Sequence, residues 1–256
     1  MKEFLKKLIE KILPIKYQLN LRYFYLKKNN KLDDEMFYVS KLLEKKRRFL
    51  DIGANVGIYS FYFKNIFKNV DAFEPLKEIT HRLHAIQNNF LKIHNVALSN
   101  KSGKLQFFIP YLNGKLAPAL ASLERRNNNG EIRTVEVKKV DDYNFRDVDL
   151  IKIDVEGHEQ SVIEGALKTI NTTMPVLIVE IEQRHIKKEI NEVFQSILKI
   201  DYKGFFLQKG KLIPLNEFEY QKHQEPFLQN VNSKEYINNF IFIPNFKIID
   251  ENSTNK

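Results

Sequence analysis

Phe49-Leu-Asp-Ile-Gly-Ala-Asn-Val-Gly57 decides the fold. Phe49 to Ile52 read as a short buried strand. Gly53 and Gly57 then mark a tight turn, because glycine lets the backbone bend and approach a ligand with no Cβ in the way. Gly57 opens a helix, whose first turn offers unpaired N–H groups and the positive end of a dipole. A second strand, Val70 to Phe73, delivers Glu74 about twenty residues after the first glycine, where a carboxylate accepts hydrogen bonds from a ribose diol. Strand, glycine turn, helix, strand and acid together describe a nucleotide-type cofactor site.

Two cofactors and an empty turn compete. The dinucleotide fingerprint is G-x-G-x-x-G, whereas this chain has Asp51-x-Gly53-x-Asn55-x-Gly57. An acid just before the turn repels a pyrophosphate and suits a cofactor with a cationic amino group and a sulfonium. S-adenosylmethionine (SAM) is therefore expected over NAD, and over a strand–turn–helix that binds nothing.

The rest of the chain sets bounds. Its 256 residues fit one large domain or a domain with an appendage, and 43% hydrophobic content suffices for a packed core. There is no cysteine, hence no disulfide, thiolate metal site or thiol nucleophile. That suits a reducing cytoplasm, which is the expected location, with peripheral attachment to the inner membrane face as a variant. No signal peptide and no apolar run long enough to span a bilayer stand out. Residues 1–48 hold 14 Lys and Arg against 6 Asp and Glu, which is +8 of the net +9. The basic charge thus belongs to an N-terminal appendage, residues 1–47.

Within that appendage, residues 2–13 have the periodicity of an amphipathic helix. Phe4, Leu5, Leu8, Ile9 and Ile12 share a face, Lys2, Lys6, Lys7 and Lys11 lie mostly off it, and Pro14 ends it. Such a helix packs on its own domain, on the partner of a homodimer, or on an anionic membrane through residues 1–15; nucleic acid is not an expected partner. Residues 17–48, rich in tyrosine and phenylalanine, are expected to form a helical cap over the cofactor mouth. From 48 to 249 strands and helices alternate, which argues for a parallel sheet covered on both faces. Strands are expected at 48–52, 70–74, 92–98, 149–154 and 176–181, with helices over 57–68, 76–89, 158–170 and 187–199. β segments at 104–109 and 132–140 flank an inserted loop, 111–134. A hairpin follows at 204–215, centred on Lys209-Gly210, then a last strand at 239–243 and a disordered polar tail, 250–256.

These stretches resemble the FkbM-type methyltransferases. The likeness is carried by 49–60, Val70-Asp-Ala-Phe-Glu-Pro75, Asn95-Val-Ala-Leu-Ser99, Leu150-Ile-Lys-Ile-Asp-Val-Glu-Gly-His-Glu159 and Pro175-Val-Leu-Ile-Val-Glu180. It implies an α/β fold of the class I methyltransferase type: a Rossmann-like, doubly wound, seven-stranded sheet, mostly parallel with an antiparallel C-terminal hairpin. It also implies SAM as cofactor and O-methylation of a hydroxyl on a sugar, glycan or related natural product, lipid- or nucleotide-linked. By position, Asp51, Gly53, Asn55 and Gly57 would line the amino-acid half of SAM, Glu74 its ribose, and Ala97 and Leu98 its adenine, with the methyl group near Asp154.

In a doubly wound sheet ligands sit beyond the carboxyl ends of the strands. Asp154, Glu156, His158 and Glu180 fall at such ends. A sugar hydroxyl needs a base to take its proton, and Asp154 and His158 are the candidates. Glu156 stands between them, and Lys152 shares the strand face of Asp154. Glu180, Arg125 and Arg126 are candidates for holding the acceptor, with Arg133 a further cation near the loop. No dedicated metal site is assigned, although Asp154, Glu156, Glu180 and Glu182 are an oxygen-rich set that would suit Mg²⁺. His81 and His84 read as surface residues. Two other functions compete: a nucleic-acid ribose methyltransferase, and a SAM-binding scaffold without catalysis.

Overall fold

A computed structural model describes residues 12–124, 129–231 and 233–247. Most of the predicted helix at 2–13, Arg125, Arg126 and the tail 250–256 lie outside the described residues.

The chain enters through two helices, α1 (Ile15–Lys28) and α2 (Asp34–Leu42). The alternating part follows as β1 (Arg48–Ile52), α3 (Ile58–Phe63), β2 (Asn69–Phe73), α4 (Lys77–His84) and β3 (Leu91–His94). An interruption contains β4 (Ala97–Leu98), β5 (Gly103–Leu112), β6 (Lys115–Leu116) and β7 (Gly130–Lys138). The sheet resumes with β8 (Val148–Ile153), α5 (Glu159–Glu164), α6 (Leu167–Thr173), β9 (Val176–Glu180) and α7 (Ile190–Leu198). It closes with β10 (Tyr202–Gln208), β11 (Lys211–Pro214), α8 (Tyr220–His223) and β12 (Asn239–Pro244).

The main sheet has eight strands in the order β11-β10-β12-β9-β8-β1-β2-β3. Five central strands, β3 through β9, run parallel, and β12 inserts antiparallel between β9 and β10. The expected sheet of seven strands is therefore corrected to eight. The extra one, β11, is the far arm of the predicted hairpin: Lys209 and Gly210 both have positive φ, 50° and 75°, as a two-residue turn requires, and Lys211–Pro214 pairs back along β10. The antiparallel element also differs from expectation, since β12 reverses the direction inside the sheet while the hairpin forms its edge.

The expected third strand, 92–98, is two strands in two sheets. β3 ends at His94, where the Asn95 side chain bonds the Glu74 carbonyl and the Thr80 hydroxyl and turns the chain away. Ala97 and Leu98 then pair with Val137 and Lys138 of β7 in a second, four-stranded sheet of order β4-β7-β5-β6. The inserted segment is correspondingly more ordered than a loop over 111–134: β5 extends to Leu112 and β7 begins at Gly130. The expected long helices are shorter, and the one over 158–170 is broken into α5 and α6 at Gly165 and Ala166. A Cβ on Gly165 would stand 2.0 Å from the Ser99 carbonyl oxygen, so the chain passes too close there for any side chain.

Side-chain alternation along the strands divides the core in two. Leu50, Ile52, Ile151, Ile153, Leu177 and Val179 face one cluster. Phe49, Leu150, Ile178 and Ile241 face the other, which Leu19, Tyr23, Met36 and Val39 of α1 and α2 complete. Asp51 pairs in register with Lys152, and Asn239 with Glu180. By the same alternation these four, with Asp154, fall on the α1–α2 face at the carboxyl end of the sheet. Two helices thus cover the sheet face that carries Asp51, Lys152, Asp154, Glu180 and Asn239.

Candidate active site

Three conformations shape the glycine turn. Gly53, Asn55 and Gly57 have φ of 77°, 50° and 85°. At Gly53 the constraint is absolute, because a Cβ would stand 1.7 Å from the Asp154 carbonyl oxygen. Asn55 tolerates the left-handed region as few other side chains do. Its N–H donates to Glu74 Oε2 at 3.2 Å, while the Leu76 N–H donates to Glu74 Oε1 at 3.1 Å. Glu74 is thereby fixed at the end of β2, and burial pushes its carboxyl up to about 7 against the two N–H bonds that favour the charged form.

Beside Glu74 opens a cleft. Gly53, Asn55, Glu74 and Asp154 line it, with Val96, Ala97 and Leu98, with Phe107 of β5, and with Ala121 and Leu123 of the segment after β6. The split of the third strand therefore matters: it sends Ala97 and Leu98 over to β7 and still leaves them on the cleft. Apolar side chains, a fixed carboxylate and a glycine backbone around one cleft are the groups that an adenosine would call for. A second cleft of about 660 Å³ shares Gly53, Asn55 and Asp154 with the first and is walled by Leu32, Asp33 and Tyr59. Residues following α1 thus border the site, as a cap would.

Asp51 has a structural partner that its spacing did not reveal. Its Oδ2 accepts the Ser60 N–H at 2.9 Å and the Ser60 hydroxyl at 2.6 Å, tying β1 to α3. Burial raises its carboxyl to about 6, in spite of Ser60 and Lys152.

The charged centre adjoins both clefts through Asp154, and the second also through Lys152. Lys152 is buried, with Nζ 3.8 Å from Asp154 Oδ2, 3.6 Å from Glu180 Oε2 and 3.1 Å from Asn239 Oδ1. Burial alone would drive this ammonium towards neutrality, but Asp154, Glu180, Asp33 and Asp51 outweigh it and hold Lys152 above its ordinary range. Burial raises Asp154, against Lys152, and raises Glu180 well above the usual carboxylate range, with Asp154 adding to the effect. One cation thus lies between two carboxyls at the ends of adjacent strands. Asp154 keeps 34% of its side chain exposed, so this carboxyl reaches the cleft.

Glu156 and His158 take other roles in the geometry. Glu156, at a φ of 57°, sits 2.9 Å from His185 Nδ1. His158 is held at both ring nitrogens, Nε2 to Ser99 Oγ and Nδ1 to Glu124 Oε1, each at 2.8 Å. It ties Ser99, just after β4, to Glu124 and borders the first cleft together with Asp154. Glu182 is buried against Arg184 and the Tyr236 hydroxyl. Burial works to raise it, but the Arg184 bond, His185 and Tyr236 outweigh that and hold it below the usual range. Among the described residues no group of three or more His, Asp or Glu side chains is arranged to hold a metal ion. Arg133 is paired with Glu131 and Glu78. His81 and His84 are exposed and bond locally. The sequence reading missed Asp33, Tyr59, His185, Tyr236 and Asn239; Tyr59 lies within the 49–60 stretch, and the strand register, Asn239 opposite Glu180, hints at another.

Comparison with known proteins bears on the family. Residues 51–207 match the family model of the methyltransferase FkbM domain. Similar solved structures include the methyltransferase FkbM of Methylobacillus flagellatus KT, at 17% identity and a TM-score of 0.47, over 77% of this chain and 43% of that one. The chain thus spans less than half the length of that protein. A TehB-like SAM-dependent methyltransferase of Corynebacterium glutamicum matches at 11% identity and a TM-score of 0.47, over 90% of this chain and 97% of its own. An rRNA methylase of Streptococcus thermophilus matches at 11% and 0.43, over 81% and 91%. No curated protein matches the chain. The FkbM domain takes in the glycine turn, Glu74, the Asp154 centre and strands as far as β10, and the chain belongs to the FkbM family of SAM-dependent methyltransferases.

Proposed function

We propose that this chain is an O-methyltransferase that acts on a hydroxyl of a sugar or glycan. The observation that carries the reading is the Lys152–Asp154–Glu180 centre, which adjoins both clefts through Asp154. SAM supplies an electrophilic methyl group on a sulfonium. The protein must hold the acceptor oxygen in line with it and remove the hydroxyl proton as the new O–C bond forms. Asp154, raised by burial and open to the cleft, is the base in this reading. Glu180 competes with it for Lys152, so the pair carries less than two full negative charges and Asp154 is a stronger proton acceptor than a solvated carboxylate. Lys152 keeps the arrangement assembled. Glu74 binds the ribose diol, Gly53, Asn55 and Gly57 allow the close backbone approach, and Ala97 and Leu98 pack on the adenine.

The same walls bear on the acceptor. Asp33, Asp154 and Glu180 surround the chemistry, which favours a neutral polyol and works against a polyphosphate backbone. A nucleic-acid ribose is for this reason the weaker reading. The test is transfer of a labelled methyl group from SAM to a panel of glycans and to RNA, with wild type beside Asp154→Asn. Transfer to a glycan hydroxyl that the variant lowers by roughly a hundredfold or more is the expected result. Transfer to RNA alone, or equal rates from both proteins, would overturn the reading.

A further inference from the structure

The helix α1 carries apolar side chains on both faces, and among the described residues only one of those faces is covered. Leu19 and Tyr23 are buried against α3 and the sheet, and Gln18 with them. On the opposite side Tyr17, Leu21, Phe24 and Tyr25 recur at helical spacing and remain 49%, 46%, 59% and 55% exposed. No Asp or Glu occurs in the fourteen residues from Ile15 to Lys28. Lys16 reaches over the Tyr17 ring, 5.0 Å from its centroid, and Lys27 and Lys28 close the last turn.

We infer that the outward face of α1 is a docking surface for an anionic lipid bilayer. Aromatic rings with a polar edge settle at the boundary between headgroups and acyl chains. Lysines at the rim lay their stems along the apolar surface and place their ammonium groups among anionic headgroups. Charge selects this occupant over a second copy of the chain. A two-fold contact sets the same patch against itself, and here it would oppose two helices that each carry only cations. An anionic surface is attracted by that charge, and residues 1–48 hold +8 in all. Docking would leave the fold intact, since among the described residues no helix is long and apolar enough to cross a membrane. It would also set the active site close to the bilayer: Leu26, on the inner side of α1, and Lys31 to Asp33, just after it, line the second cleft.

The test is co-sedimentation of the full chain with vesicles of phosphatidylcholine alone and with added phosphatidylglycerol. Wild type is expected to bind only the anionic vesicles, and less so as salt is raised. Phe24→Gln/Tyr25→Gln is expected to weaken binding at least about tenfold, and Lys27→Glu/Lys28→Glu similarly. The melting temperature and SAM affinity of both variants should match wild type, which separates lost docking from lost folding. Wild type left in the supernatant, or variants that bind as wild type does, would overturn the inference. So would a dimer in sedimentation velocity that the Phe24/Tyr25 variant abolishes while wild type ignores vesicles, because the face would then belong to a second copy.

Discussion

Gly53 and Asp154 meet backbone against backbone: the space where a Cβ of Gly53 would stand lies 1.7 Å from the Asp154 carbonyl oxygen, and the Asp154 N–H donates to the Ile52 carbonyl at 2.9 Å. The glycine turn and the carboxylate proposed as the base are therefore held in one rigid contact. Gly53→Ala must move one of them and also holds alanine at a φ of 77°. We expect a loss of about 3 kcal/mol or more of stability and of measurable SAM binding, read by thermal denaturation and calorimetry. An alanine variant that binds SAM normally would show that the turn yields.

Glu74 should set the pH dependence of cofactor binding. Its carboxyl is raised by burial to about 7, so it takes up a proton as pH falls through that value and loses accepting capacity for a diol. SAM affinity should weaken between pH 8 and pH 6 in wild type, and the trend should flatten in Glu74→Gln. Glu74→Ala should lower affinity roughly 100-fold at pH 8, since two hydrogen bonds to a charged acceptor are removed. A wild-type profile flat across this range would reject the role.

Lys152→Met leaves Asp154 and Glu180 facing each other without their cation. Breaking a buried ion pair on one side costs about 3 kcal/mol or more. Both carboxyls already lie above their unfolded values, and the variant raises them further, so they favour the native state when protonated. The destabilisation should therefore be largest above neutral pH and shrink as pH falls. Equal melting-temperature losses at pH 6 and pH 8 would count against the coupling.

Glu159 offers a third pH test, at the start of α5. Its Oε1 accepts the Gly157 N–H at 2.8 Å, its Oε2 is buried without a partner, and burial pushes the carboxyl up to about 7. A folded value above the unfolded one gives stability that is complete below the unfolded value and lost as pH rises through about 7. The melting temperature should fall from pH 5 towards pH 8. Glu159→Gln should fall less, with the difference growing with pH; parallel curves would remove Glu159 as the cause.

Much of the site was readable because it lies at the junctions of regular elements. The glycine turn and Glu74 stand at the ends of β1 and β2, and Lys152, Asp154 and Glu180 at the ends of β8 and β9, so strand period and position placed them. Where side chains find partners across the chain, sequence said less. His158 reads as a candidate base from its place after a strand end, and sequence gives no sign that Ser99 and Glu124, 59 and 34 positions away, bond both of its nitrogens. Asp51 suits a cationic cofactor by its spacing, but its Oδ2 goes to Ser60. The expected third strand failed for a similar reason, since the bonds of Asn95 to Glu74 and Thr80 are tertiary and leave no local signature.

The place of β12 has a consequence for how the enzyme is made. Residues 239–244 sit between β9 and β10, which are complete by residue 208. As the chain leaves the ribosome, β9 and β10 must therefore wait with unpaired edges, a state prone to mispairing. Asn239, which accepts from Lys152, arrives with that last strand. The charged centre is thus among the final parts to form, and a chaperone that shields the waiting edges would act on catalysis as much as on folding.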